Sequence, residues 1–164
     1  MKRLFPLALI TFLFSACAEQ QAFDEVAPKQ IEYLIKTMDL RVAEATRIYD
    51  QFIAEFEATG SYADLEATQK ALEHQMDLVR KTASFDEGYV PNNGSDLKSW
   101  GNATIKMYQL AVGIELKELS RGLARPDSPG VKKVLKDTQE KVESRRSEYE
   151  KLRSKLIKEF GLKI

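Results

Sequence analysis

The chain has 164 residues, enough for one domain with a proper core, and its 25 basic and 25 acidic residues cancel. That balance excludes the overall positive field expected of a general nucleic-acid binder. The only cysteine has no second thiol for a disulfide, and together with the only histidine it cannot complete a structural zinc site.

Lys2 and Arg3 open the chain, an apolar run from Leu4 to Phe14 follows, and Ser15-Ala16-Cys17 closes the segment with small residues ahead of the cysteine. This is the three-part layout of a bacterial secretory signal. The run is roughly half of the ~20 apolar residues needed to span a bilayer, so it reads as a removable export signal and not as a retained anchor. Phe14-Ser15-Ala16-Cys17 resembles the lipobox of bacterial lipoproteins, with Phe14 at the place where that family usually carries leucine. The resemblance implies cleavage between Ala16 and Cys17, a diacylglycerol on the Cys17 sulfur, and an acyl chain such as palmitate on the new amino group. Each buried methylene contributes about 0.8 kcal/mol, so two or three such chains would hold the protein firmly in a membrane. Ala18, standing where aspartate would follow the cysteine, resembles cargo of the enteric Gram-negative type sorted to the outer membrane, facing the periplasm. A second reading of the same residues stays open. Ala16-Cys17-Ala18 is a small-x-small site, and cutting after Ala18 would discard the cysteine and leave a soluble periplasmic protein.

Removing residues 1–16 leaves 148 residues with 23 basic and 25 acidic side chains. Residues 17–26 are polar or small and read as a lipidated tether, and residues 27–164 as a helical domain. Ile31, Leu34, Met38, Val42, Ala45, Tyr49, Phe52 and Phe56 recur every three or four positions, the spacing of one helix face. Pro28 is expected in the first turn, where its missing N–H costs nothing, and Gly60 ends the helix. Ser61 with Asp64 three residues on forms a variant capping box for a second helix, whose stripe is Tyr62, Leu65, Gln69, Leu72, Met76 and Val79. The short Thr59-Gly60-Ser61 link predicts an antiparallel hairpin.

The segment from Phe85 to Asp96 carries the densest turn chemistry, with Pro91 and the Asn92-Asn93-Gly94 run. Ser95 or Asp96 is expected to cap a third helix from Leu97 to about Leu123. Its apolar residues cover two neighbouring faces: Leu97, Trp100, Met107, Ala111 and Ile114, and Ile105, Tyr108, Val112, Leu116 and Leu119. So wide a stripe predicts the most enclosed helix, with Trp100 largely buried. Ser128 as N-cap and Pro129 as first residue start a fourth helix of roughly 30 residues, whose seam includes Val131, Leu135, Thr138, Val142, Arg145, Tyr149, Leu152, Leu156 and Phe160. No useful β alternation occurs. The expected fold is all-α, an up-down-up-down antiparallel four-helix bundle.

The charges are unevenly placed. Residues Glu19 to Glu87 hold 15 acidic against 7 basic side chains, and Val131 to Ile164 hold 11 basic against 6 acidic. An acidic helix lying beside a basic one within the bundle explains this better than a basic helix aimed at lipid or an acidic partner.

Reactive constellations are absent from the pattern. His74 lacks the Glu-x-x-His context of a di-iron bundle, because position 71 is alanine, and it reads as a surface residue. Glu115 and Glu118 could share a cation, but Lys117 and Arg121 beside them suggest ordinary ion pairs. Met38, Met76 and Met107 fall on apolar stripes and read as core. Neither a nucleophile elbow nor a phosphate-cradling glycine loop occurs, and Asn102-Ala103-Thr104 is a sequon inside an expected helix. No metal or other cofactor is expected. The remaining candidate contact site is the tip loop Tyr89, Val90, Pro91, Asn92 and Asn93, an apolar handle beside adaptable polar groups.

These features point to a non-catalytic, lipid-anchored envelope protein. It would sit on the membrane through Cys17, bind or escort another envelope protein, and have no nucleic-acid partner. Small helical lipoproteins that pilot outer-membrane secretins are an analogy for such a role. The alternative is a periplasmic helical domain that senses a small ligand held against helix three.

Overall fold

The computed structural model describes the backbone of residues 7–59, 64–82, 92–115 and 128–164, and the side chains of 26–59, 64–82, 96–113 and 128–164. Four helices form an all-α bundle, with no strand among the described residues. They are α1 (Leu7–Thr59), α2 (Leu65–Lys81), α3 (Asn92–Leu110) and α4 (Pro129–Glu159).

Helix α1 is longer than the apolar spacing predicts. It runs unbroken through residues 17–26, the expected tether, and carries Pro28 in its interior instead of its first turn. Ala18-Glu19-Gln20-Gln21-Ala22 are strong helix formers, which accounts for the extension. Proline costs a hydrogen bond at such a place. Its neighbours Ala27 and Ile31 are 1% and 0% exposed, so packing holds the helix through it. All eight residues of the predicted α1 stripe are buried.

The cap of α2 lies three residues further on than the capping-box spacing predicts. Asp64 is the N-cap itself, its carboxylate accepting from the Ala67 N–H at 3.1 Å. An aspartate suits that place because it satisfies a first-turn N–H and faces the positive helix end. At the other end Thr82 caps α2, and Lys98 of α3 donates to its carbonyl at 2.8 Å.

Helix α3 begins earlier than expected, so the backbone of Asn92, Asn93 and Gly94 forms its first turn. First-turn N–H groups need no intrahelical partner, which lets residues with turn chemistry start a helix. The helix passes into a π turn at Ala111–Glu115, a change of hydrogen-bond period that apolar spacing does not reveal. Leu97, Ile105, Tyr108 and Val112 are wholly buried. Trp100, expected to be largely buried, packs at the edge of the core and is only partly covered. Gly101 lies between two neighbours: a Cβ there would sit 3.4 Å from Met38 Sδ of α1 and 3.5 Å from the Tyr149 ring of α4.

Helix α4 starts as predicted, with Ser128 as N-cap and Pro129 in the first turn. It ends at Glu159 with Phe160 as C-cap, and Gly161 beyond it, at a φ of +60°, together with the Leu162 N–H to Ile157 carbonyl bond of 2.9 Å, closes the last carbonyls. Helix α3 packs along all three others, while α1 and α4 touch only thinly. Paired residues run in opposite order along α1 and α4, Asp39 with Arg153 and Asp50 with Arg146. Most of the described apolar face of α3 is covered by its neighbours, with Trp100 and Met107 partly covered and Leu110 exposed, and open space lies between α1 and α4.

Candidate functional site

The α1–α4 separation creates a trough of about 1030 Å³, with a second space of about 460 Å³ continuing along the same two helices. From α1 it is lined by Asp39, Val42, Ala43, Thr46 and Asp50, and then by Ile53, Ala54 and Glu57. These recur at helical spacing, so one flank of α1 faces the trough while the flank carrying Met38 and Ala45 is buried in the core. From α4 come Val142, Glu143, Arg146, Tyr149, Glu150 and Arg153.

Two arginines bridge the gap. Arg153 Nε donates to both oxygens of Asp39 at 2.8 and 2.7 Å, and a terminal nitrogen adds a third contact at 2.7 Å. The Tyr149 hydroxyl donates to the same carboxylate at 3.1 Å. About two turns nearer the N-terminus of α4 than Arg153, Arg146 donates to Asp50 at 2.6 Å and to the Tyr108 hydroxyl at 2.8 Å. Thr46 completes that cluster with a 2.8 Å hydrogen bond to Tyr108. Beneath Arg146 the Tyr49 and Tyr108 rings stack with centroids 5.1 Å apart, and the guanidinium lies 5.2 Å from the Tyr108 centroid. The arginines therefore span α1, α3 and α4 with charge, hydrogen bonds and cation–π contact where apolar side chains do not reach.

The electrostatics follow from burial. Desolvation pushes the Tyr149 phenol far above its ordinary value, and the Asp39 carboxylate beside it adds to the rise. Burial likewise raises Tyr108, against the opposing pull of Thr46 and Arg146. Burial works against the Arg146 charge, but Asp50 and Tyr108 outweigh it and raise its value. Both phenols therefore stay protonated throughout the physiological range.

The sequence-derived candidates are distributed differently. The Cys17 backbone lies within α1, but its side chain falls outside the described residues. Tyr89, Val90 and Pro91 fall outside them entirely, whereas Asn92 and Asn93 begin α3, so these two are helical in backbone and not part of a loop. His74 is exposed on α2. Glu115 closes the π turn, and Glu118 lies outside the described residues. Met38 and Met76 are buried and Met107 partly so, as core residues. Among the described residues no group of three or more His, Cys, Asp or Glu side chains could hold a metal ion, and no helix is long and apolar enough to cross a membrane.

The expected pairing of acidic and basic helices occurs, but through Arg146 and Arg153. Lys133 and Lys136 pair along their own helix with Asp137 at 2.8 Å and Glu140 at 3.7 Å. Sequence reasoning missed the trough, although one signal was present. Arg146 and Arg153 are seven residues apart and Asp39 and Asp50 eleven apart, so each pair shares a face of its helix. Comparison of the chain with protein-family models, curated proteins and solved structures finds no match.

Proposed function

We propose that this chain is a non-catalytic protein of the bacterial cell envelope, held to a membrane by acyl chains on Cys17, that binds or escorts another envelope protein. The observation that carries the reading is the open face between α1 and α4, whose floor is fixed by the Arg146 and Arg153 bridges. A binding surface set by hydrogen bonds within the free protein loses little freedom when a partner arrives. The lipobox resemblance supplies the anchor, and Ala18 supports an outer-membrane address facing the periplasm. A small ligand held against α3 is the weaker reading, because Ile105, Tyr108 and Val112 are wholly buried by other side chains.

Two measurements test the proposal. Metabolic labelling with an alkyne-bearing palmitate should mark the wild-type chain but not Cys17→Ser, and the variant should leave the membrane fraction. Crosslinking in intact cells should recover the same envelope protein repeatedly with the wild-type chain. An unlabelled wild-type chain would sink the anchor, and the absence of any specific crosslinked protein would sink the binding role.

A further inference from the structure

We propose that the α1–α4 trough receives a single basic, amphipathic helix of the partner protein. The inference rests on the binding reading above and names the chemistry of what is bound. The shape is that of a channel along two helices. From Asp39 to Glu57 its α1 wall spans about 27 Å at 1.5 Å per residue, five turns of an incoming helix. Its floor is crossed by the Arg146 and Arg153 bridges, whose apolar stems lie over the buried Val42, Ile53 and Val142, and the exposed residues Ala43 and Ala54 beside them are small enough to admit another backbone closely. Laying the apolar face of a helix into such a groove is a common mode of recognition.

Charge decides which helix fits. The two arginines that bridge the trough are already engaged, Arg153 by Asp39 and Arg146 by Asp50, and Arg47 holds Glu44 at 2.7 Å. A phosphate, a lipid headgroup or an acidic peptide would therefore have to displace a carboxylate to find a cation. The carboxylates are in surplus. Glu143 and Glu150 reach arginines only at 3.8 and 4.0 Å with side chains 71% and 62% exposed, and Glu57 across the trough has no ion pair among the described residues. Glu143 and Glu150 stand two turns apart on one rim, with Glu57 on the other. A helix carrying Lys or Arg at seven-residue spacing on both sides of its apolar stripe meets these three charges, as flanking charges do in coiled coils.

The test uses the full chain in detergent and two synthetic helical peptides of the same apolar stripe, one with lysine and one with glutamate at every polar place. The lysine peptide should bind at least about tenfold more tightly at low salt, and the difference should shrink as salt screens it. Glu57→Lys, Glu143→Lys and Glu150→Lys together should reverse the order. The corresponding triple Gln variant, which keeps size and removes charge, should level it, with helical content by circular dichroism confirming that both variants fold. In cells, a photo-crosslinking residue at Ala43 or Ala54 should capture a partner segment that is basic and helically amphipathic. Equal binding of the two peptides, or capture at 43 and 54 of only this chain, a second copy or lipid, would overturn the inference. A partner captured from other surfaces but never from the trough would leave the binding reading standing and remove this site. No partner from any position would remove both.

Discussion

The side of α1 that turns into the bundle is apolar from Ile31 to Phe56, whereas the side that turns to α4 carries Asp39, Thr46 and Asp50. On the first side contact is continuous and water is excluded; on the second, long arginines reach across a gap. The difference teaches how the chain divides labour along one helix. Burial of apolar area drives the first contact and is indifferent to salt. Half-exposed charge holds the second, contributes less stability, and leaves a surface that a partner can cover without first unpacking the core.

The largest effect should come from Tyr108, which belongs to both sides. It is wholly buried, stacks on Tyr49 and bonds Thr46 and Arg146. Tyr108→Ala should cost about 3–5 kcal/mol in denaturant unfolding, the range for a large buried aromatic. Tyr108→Phe keeps the ring and removes only the hydroxyl, so about 1–2 kcal/mol is expected. If the two variants lost the same amount, the hydroxyl network and not the ring packing would hold this junction.

Trp100 should come next. It is partly covered at the edge of the core, with the Arg145 guanidinium 4.9 Å from its ring centroid. Trp100→Ala should cost about 2 kcal/mol, below the value for a fully buried aromatic. A loss as large as that of Tyr108→Ala would show that the α3–α4 edge is packed as tightly as the α1 face.

A double-mutant cycle sharpens the comparison between bridging and solvated charges. Asp39 and Arg153 are bidentate, with side chains 29% and 26% exposed. Their coupling should be about 1 kcal/mol, near the upper end for such pairs. Lys133 with Asp137 is far more exposed and should couple by less than about 0.5 kcal/mol. Equal couplings would mean that the trough bridges are ordinary surface pairs.

Alkaline pH probes the same junction. The unfolded chain releases its tyrosine protons near pH 10, while folded Tyr149 and Tyr108 hold theirs to higher pH. The stability they contribute is complete below about pH 10 and is lost as pH rises beyond it. Thermal unfolding followed from pH 8 to 11 should show that decline, and Tyr149→Phe should flatten it. An unchanged slope in that variant would place the titrating group elsewhere.

The stripes of α1 and α4 were legible because burial selects apolar residues at every third or fourth place, and Ser128-Pro129 has few readings other than a helix start. The cap at Asp64 was not, since Ser61 offers a similar oxygen at an equally plausible place. Pro28 and Asn92-Asn93-Gly94 looked like boundaries because local preference marks them so; within α1 tertiary packing overrides it at Pro28. The trough was hidden for a different reason. Helical spacing tells which side of α1 carries Asp39 and Asp50, but not how far away α4 stands. That distance depends on α3, the helix on which both pack.

The smallest effect should be that of the lysines at the start of α4. Lys132, Lys133 and Lys136 are exposed, and the pairs that Lys133 and Lys136 make lie along their own helix. Replacing all three with Gln should therefore change stability by less than about 1 kcal/mol, because each exposed i to i+4 pair contributes only about 0.3–0.5 kcal/mol. Partner recovery should also survive, since a basic helix in the trough would gain nothing from these cations. The opposite result would be informative. A still-folded triple variant that loses its partner at low salt and regains the wild-type level at high salt would place an acidic surface against the start of α4. Screening beyond about 8–10 Å near physiological ionic strength gives such long-range steering its salt signature. The functional face would then be the lysine-bearing end of α4, and the bridged trough would be only the place where two helices stand apart.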